Sequence, residues 1–345
     1  MASAFATHSP SFSTILGPSP TLKLLLSRKP HPFAHGAGVF FPDNNTLFIT
    51  SSPYIEPLKN NTLCVQINKI SLDGSGNGPT WEEIPSDDLP MASGGVNYKD
   101  GILFCSQGSN CTIPIKEGEK GHIPSGLYHM QRHAPYTVTP ILTSFHGRKF
   151  DSVSDLVVHP TDGSIWFTDP THGQVQGLEE KMDFPSQVYR YDPMTGNVRA
   201  MADGFATPNG ICFGPGEEPK LVYVTVTKRD RVDEEIEGAG KASIYVFDIQ
   251  YYSDQPFLVN RRLFAHAAEG FPNGIECDMD GNVYSGCGDG VAVWCPGGVL
   301  LGVIKVNGGA ANFCFGKEGA MYILNETRLW KAQLSKDVEG ALLGI

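Results

Sequence analysis

Apolar residues in this chain come in short runs set off by Gly, Asp, Asn or Pro, and almost nowhere do they recur with the 3.6-residue spacing of a helix. Six of these runs share one form, a small or polar hinge residue followed by a short apolar strand. They are Gly36–Phe40, Gly94–Tyr98, Ser154–Val158, Asn209–Phe213, Asn273–Cys277 and Ala311–Phe315. Their first residues lie 58, 60, 55, 64 and 38 positions apart, and each run leads through a turn towards a second strand. One such unit cannot bury both of its faces alone, so successive units stack on each other. The pattern predicts an all-β fold, a six-bladed β-propeller with its active site at the central channel.

Length changes little in that picture. A chain of 345 residues exceeds the usual single domain, yet a ring of small sheets can grow past that size. The expected organisation is a flexible N-terminal arm over residues 1–20 and a single propeller over 21–345. Within the latter, the apolar strand Leu22–Ser27 is unassigned by the six repeats, and it is expected to pair with the last blade and latch the ring, since an unpaired edge invites aggregation.

A net charge of -11 argues against a nucleic-acid partner, whose phosphates call for clustered Lys and Arg. The mixed-charge run from Lys228 to Glu237 is expected to be a solvated loop. No segment approaches the roughly 20 apolar residues of a membrane span, and the first residues lack the basic and apolar regions of a signal peptide. A cytoplasmic location follows, with secretion as the alternative because Asn44, Asn60, Asn110 and Asn325 each begin an Asn-x-Thr sequon. The eight cysteines include no C-x-x-C pair and are expected to be reduced and to pack as small apolar residues. A monomer or weak homodimer is expected.

Specific motifs add a resemblance. Residues Phe150–Gly173 carry Ser154, Asp155 and the Trp166-Phe167-Thr168-Asp169-Pro170 strand end; Thr207–Phe213 and Phe271–Val291 each carry a Pro-Asn-Gly turn; His35–Pro42 is followed by Leu47–Ser51. Together these resemble the SMP-30/gluconolactonase/luciferin-regenerating superfamily over about residues 30 to 335, in wording most like its fungal members. Lactonases of that family hold one divalent cation with a Glu, two Asn and an Asp. The resemblance places these positions at Gly36, Ser154, Asn209 and Asn273, of which only Asn209 keeps the family's ligand.

A hard cation wants roughly 6 to 8 oxygen donors, several of them charged, and both carboxylates are missing here. The sequence therefore predicts no metal and no cofactor. Without a cation to lower the pKa of water from about 15.7 towards 7, ordinary lactonase chemistry loses its nucleophile. What remains is a pocket for a hydrophobic small molecule. Some fungal members of the superfamily are metal-independent cyclases, and the resemblance implies a hetero-Diels-Alderase that joins an o-quinone methide to a terpene alkene, where orientation alone can supply about 7 to 11 kcal/mol. Two alternatives stand beside it: a metal-dependent lactonase with a rebuilt ion site, and a propeller that binds a ligand without turnover.

The candidate catalytic residues are His172, Asp155, Ser154, Asn209 and Asn273. His172 or Asp155 would move a proton, and the other three would donate hydrogen bonds to a developing oxyanion. His35, Gly36, Tyr54, Tyr98, Gln107, Phe271, Trp294 and Phe313 flank the repeats and are expected to wall the substrate pocket. His35 is a second candidate for acid–base work.

Overall fold

The computed structural model describes residues 4–29, 32–56, 62–73, 78–114, 120–171, 184–227 and 242–341. Six antiparallel sheets surround a channel. Blade 1 runs outward through Gly36–Phe41, Thr46–Thr50, Ile67–Ser71 and Thr80–Ile84, and blade 2 through Ala92–Tyr98, Gly101–Ser106, Gly126–Gln131 and Val138–Leu142. Blade 3 comprises Leu156–Val158, Ile165–Asp169, Gln187–Tyr191 and Val198–Ala202; blade 4 comprises Pro208–Phe213, Leu221–Val226, Ser243–Tyr252 and Gln255–His266. Blade 5 starts with Ile275–Cys277, Val283–Cys287, Gly290–Trp294 and Leu300–Lys305, and blade 6 with Asn312–Phe315, Ala320–Asn325 and Arg328–Gln333.

Each innermost strand lies within or overlaps one of the six repeated runs and touches the innermost strand of the next blade, and blade 6 returns to blade 1. Both faces of the second strands are covered by neighbouring blades: Thr46–Thr50, Gly101–Ser106, Ile165–Asp169 and Val283–Cys287 are buried throughout, with their few polar residues kept mostly to the strand ends. Threonine hydroxyls at the ends of second strands tie blades together. Thr50 Oγ1 donates to Ser93 O at 3.1 Å, Thr168 Oγ1 to Asn209 O at 2.6 Å and Thr225 Oγ1 to Asn273 O at 2.8 Å.

The N-terminal segment closes the ring. Thr21–Ser27 adds a fourth strand to blade 6, with Leu22 opposite Ala332 and Leu24 opposite Trp330. The expectation of a flexible arm before it is corrected for residues 4–20. Phe5–Thr7 is a fifth strand on blade 5, pairing with Gly302–Ile304, and Phe12–Leu16 is a short helix that inserts Phe12 and Ile15 into the core between blades 5 and 6. Gly302 makes room for it, since a Cβ there would lie 2.3 Å from the Phe12 ring. The apolar spacing of Phe12, Ile15 and Leu16 is helical but lasts only one turn, so the surrounding Ser, Thr and Pro conceal it.

Cys64, Cys105, Cys212, Cys277, Cys287, Cys295 and Cys314 form no disulfide. Asn325 is buried and donates to Gly309 O at 2.6 Å, so its sequon is not presented to solvent in the fold. Among the described residues no helix is long and apolar enough to cross a membrane. The charged run from Lys228 to Glu237 lies outside the described residues.

Candidate functional site

The heads of the innermost strands meet at one end of the channel around a cavity of about 130 Å³. Its wall includes His35, Gly36, Gln107, Ser154, Asp155, Asn209 and Asn273. Three of these form a hydrogen-bonded chain across blades 3, 4 and 5: Ser154 Oγ donates to Asn209 Oδ1 at 3.1 Å, and Asn209 Nδ2 donates to Asn273 Oδ1 at 2.9 Å. Thr168 and Thr225 fix the backbone carbonyls of the two asparagines, so the amides are aligned before any ligand arrives. Among the described residues, Asn273 Nδ2 donates to no protein atom. Buried Gln107 Oε1 accepts no hydrogen bond either, and it is closed off from the open space of the chamber.

His35, Asn209 and Asn273 also border a wider outer space of about 400 Å³, whose rim is built from Gly270, Phe271, Gly288, Gly308, Gly309 and Glu326. Glycine backbone and the half-exposed Phe271 ring make this vestibule shallow and largely uncharged. Glu326 is its exception. One carboxylate oxygen accepts from His35 Nδ1 at 2.7 Å, and the Ser52 hydroxyl donates to the other. Burial works to raise the Glu326 carboxyl, but these two partners outweigh it and hold the group below the usual carboxylate range.

Beneath the mouth lies a second cavity, also of about 130 Å³, bordered by Asp155, Glu276, Asn312, Cys212, Cys277 and Cys314. Asp155 and Asn312 border both chambers. Desolvation pushes the Asp155 carboxyl up to about 7, against the backbone N–H of Ile211 that hydrogen-bonds Oδ2 at 3.2 Å, and pushes Glu276 up to about 8. Burial also raises the thiols of Cys212 and Cys314 well above their ordinary value, so the lower chamber holds poor thiolates.

The residues present do not fit the cation that the family likeness implies. Gly36 offers no donor, and a Cβ there would lie 2.6 Å from Thr50 Oγ1 and 3.1 Å from Ser93 O. The amide oxygens of Asn209 and Asn273 already accept hydrogen bonds from neighbours in the chain. Of the carboxylates, Asp155 Oδ2 accepts from the backbone N–H of Ile211 and Glu326 is turned to His35 and Ser52. Among the described residues no three His, Cys, Asp or Glu side chains converge as metal donors. A divalent ion would meet a hydroxyl and two engaged amides, well short of the charge it needs.

Seven of the sequence candidates therefore come together: Ser154, Asp155, Asn209, Asn273, His35, Gly36 and Gln107. Phe271 reaches only the vestibule. The expected aromatic wall is corrected. Trp294 and Phe313 are buried in the cores between blades, Tyr98 lies at the far end of its strand against His129, and Tyr54 sits in the short strand Tyr54–Glu56 and borders neither chamber. Along a propeller strand the alternating side chains face the adjacent blades, and only the strand heads face the channel mouth. His172 lies outside the described residues. Glu326 was not among the candidates; it lies 291 residues from His35 in sequence, and nothing local marks it beyond its place after the last blade's second strand.

Comparison with known proteins agrees with this architecture. The SMP-30/Gluconolactonase/LRE-like region matches residues 90–326. A lactonohydrolase of Aspergillus oryzae, oryL, is 28% identical over 316 residues, covering 87% of this chain and 67% of its own. A second from the same organism, oryH, is 25% identical and covers 94% and 78%. A gluconolactonase of Zymomonas mobilis is 28% identical over 63% of this chain and 60% of its own. Among solved structures, a Xanthomonas campestris gluconolactonase superimposes with a TM-score of 0.70 at 23% identity, covering 96% of this chain and 94% of that one. The calcium-binding protein regucalcin of Agrobacterium tumefaciens gives 0.58 at 14% identity, covering 93% and 95%. With more than half of its length matched by the family pattern, the chain belongs to the SMP-30/gluconolactonase/LRE-like family.

Proposed function

We propose that this chain hydrolyses a lactone at the channel mouth, in a site that works without a resident cation. The observation that carries this reading is the Ser154–Asn209–Asn273 chain, which leaves the Asn273 amide N–H groups unengaged beside a cavity large enough for a small ring. Relatives named as lactonohydrolases and gluconolactonases supply the reaction class. In ester hydrolysis, negative charge grows on the carbonyl oxygen as water adds. Prealigned amide donors stabilise that charge, at about 10² to 10³ in rate for one donor. The vestibule under Phe271 receives whatever substituent the ring carries.

The cyclase reading is the less supported of the two. The named relatives are lactonases, and of its expected aromatic wall only Phe271 borders the site, at the outer space of about 400 Å³, while Trp294 and Phe313 belong to the blade cores. The inner chamber of about 130 Å³ suits a small ring.

Acid release from a panel of sugar, alkyl and aryl lactones, followed with the purified chain in a pH-stat, tests the proposal. Turnover above the spontaneous rate for at least one class is expected. No turnover together with saturable binding would replace it with the ligand-binding reading.

A further inference from the structure

Resting on the lactonase reading, we propose that His35 is the general base of the reaction and that Glu326 is the residue that positions it. The argument starts from the hydrogen bond. An ionised carboxylate only accepts, so the 2.7 Å contact between Glu326 Oε1 and His35 Nδ1 requires Nδ1 to carry the hydrogen. In the neutral ring the lone pair then resides on Nε2, and among the described residues nothing donates to that nitrogen. His35 borders both the mouth chamber and the vestibule, in each case together with Asn209 and Asn273. In this proposal the free nitrogen lies in the same space as the amides that would receive an oxyanion.

Backbone contacts hold the pair as firmly as the side chains do. Phe33 N and Ala34 N both donate to Glu326 O, at 2.9 and 2.8 Å, and His35 N donates to Thr50 O at 2.8 Å. Glu326 itself sits in the two-residue turn between Asn325 and Arg328 with φ 55°, in the left-handed region that favours Gly or Asn. A glutamate held there costs backbone energy and delivers a carboxylate to the rim.

The step balances without a metal. His35 Nε2 takes a proton from a water molecule as the water oxygen bonds to the carbonyl carbon, and the carbonyl π pair moves onto oxygen, where the Asn273 amide receives it. The C=O bond then re-forms and the ring C–O bond breaks. Its electron pair leaves with the ring oxygen, which takes the proton back from Nε2–H, giving an open-chain hydroxy acid and a neutral imidazole.

The test compares full-length wild type with His35→Ala, His35→Gln and Glu326→Gln on whichever lactone the wild type turns over best. His35→Ala should lower kcat by about 10² to 10⁴ with KM nearly unchanged, and imidazole added to the buffer should restore part of the rate. His35→Gln should be equally slow and gain nothing from imidazole, because its side chain fills the space. Glu326→Gln should lower kcat at least about tenfold, again with KM nearly unchanged, because the ring loses the partner that fixes its tautomer. A His35→Ala variant that keeps wild-type kcat would overturn the base and leave the lactonase reading standing. A wild type inactive on every lactone would overturn both.

Discussion

The two halves of the channel mouth solve different problems with the same scaffold. On the side of blades 3, 4 and 5, Ser154, Asn209 and Asn273 form a neutral chain whose backbone is pinned by Thr168 and Thr225. On the side of blades 6 and 1, the strand head at Gly36 carries no side chain, and the charge instead comes from Glu326, one turn beyond the second strand of blade 6, coupled to His35. Three of the four strand heads that the family likeness would assign to an ion carry the hydroxyl and amide chain, and beside the fourth, Gly36, stands the His35–Glu326 pair. The comparison teaches that a strand head without a donor side chain need not leave a site without chemistry. A carboxylate elsewhere on the rim changes what the site can do.

The largest expected effect separates the halves by stability. Blade 6 depends on the N-terminal strand and on Phe12, so Phe12→Ala should cost about 3 to 5 kcal/mol. Hydrogen exchange should show protection lost first around Glu326 and Arg328–Gln333, with the strands carrying Asn209 and Asn273 less affected. Uniform loss around the ring would remove the distinction. Next, Asn273→Ala should lower kcat by about 10² to 10³ while leaving the melting temperature nearly unchanged; an unaltered kcat would mean that the amide chain is packing alone.

Gly36→Glu should lower stability by about 1 to 3 kcal/mol, because its Cβ meets the Thr50 hydroxyl that ties blade 1 to Ser93. Calorimetry should detect no calcium binding gained by that variant. Tight binding there would restore the cation to the account.

The smallest effect is in pH. Asp155 is raised from 3.8 to about 7 by desolvation, so between about pH 4 and 7 the folded chain holds a proton that the unfolded chain has released. Its contribution to stability is therefore present at low pH and lost as pH rises to about 7. Asp169, about 7, and Glu276, about 8, act in the same direction. Asp155→Asn should flatten part of the fall in melting temperature between pH 5 and 8, a difference on the order of a few degrees. A steeper fall in the variant would contradict that sign.

How far the sequence disclosed this follows from the range of each signal. The six strand heads recur, so the sequence alone places Ser154, Asn209 and Asn273 at one mouth. The Leu22–Ser27 latch was legible because its apolar run had no other partner, and the structure pairs it with Arg328–Gln333. The helix Phe12–Leu16 was hidden because one turn is too short to establish a period. Trp294 and Phe313 misled because aromatic residues fill blade cores as readily as pockets. The tie between His35 and Glu326 joins the first blade to the last, and no local pattern encodes a contact across the closure of a ring.

The central claim is a lactone-hydrolysing mouth that needs no resident cation, and its most direct test is the rate of hydrolysis before and after exhaustive treatment with EDTA. The account predicts the same rate in both, with no gain from added calcium or zinc. A rate abolished by the chelator and restored by either ion would contradict it.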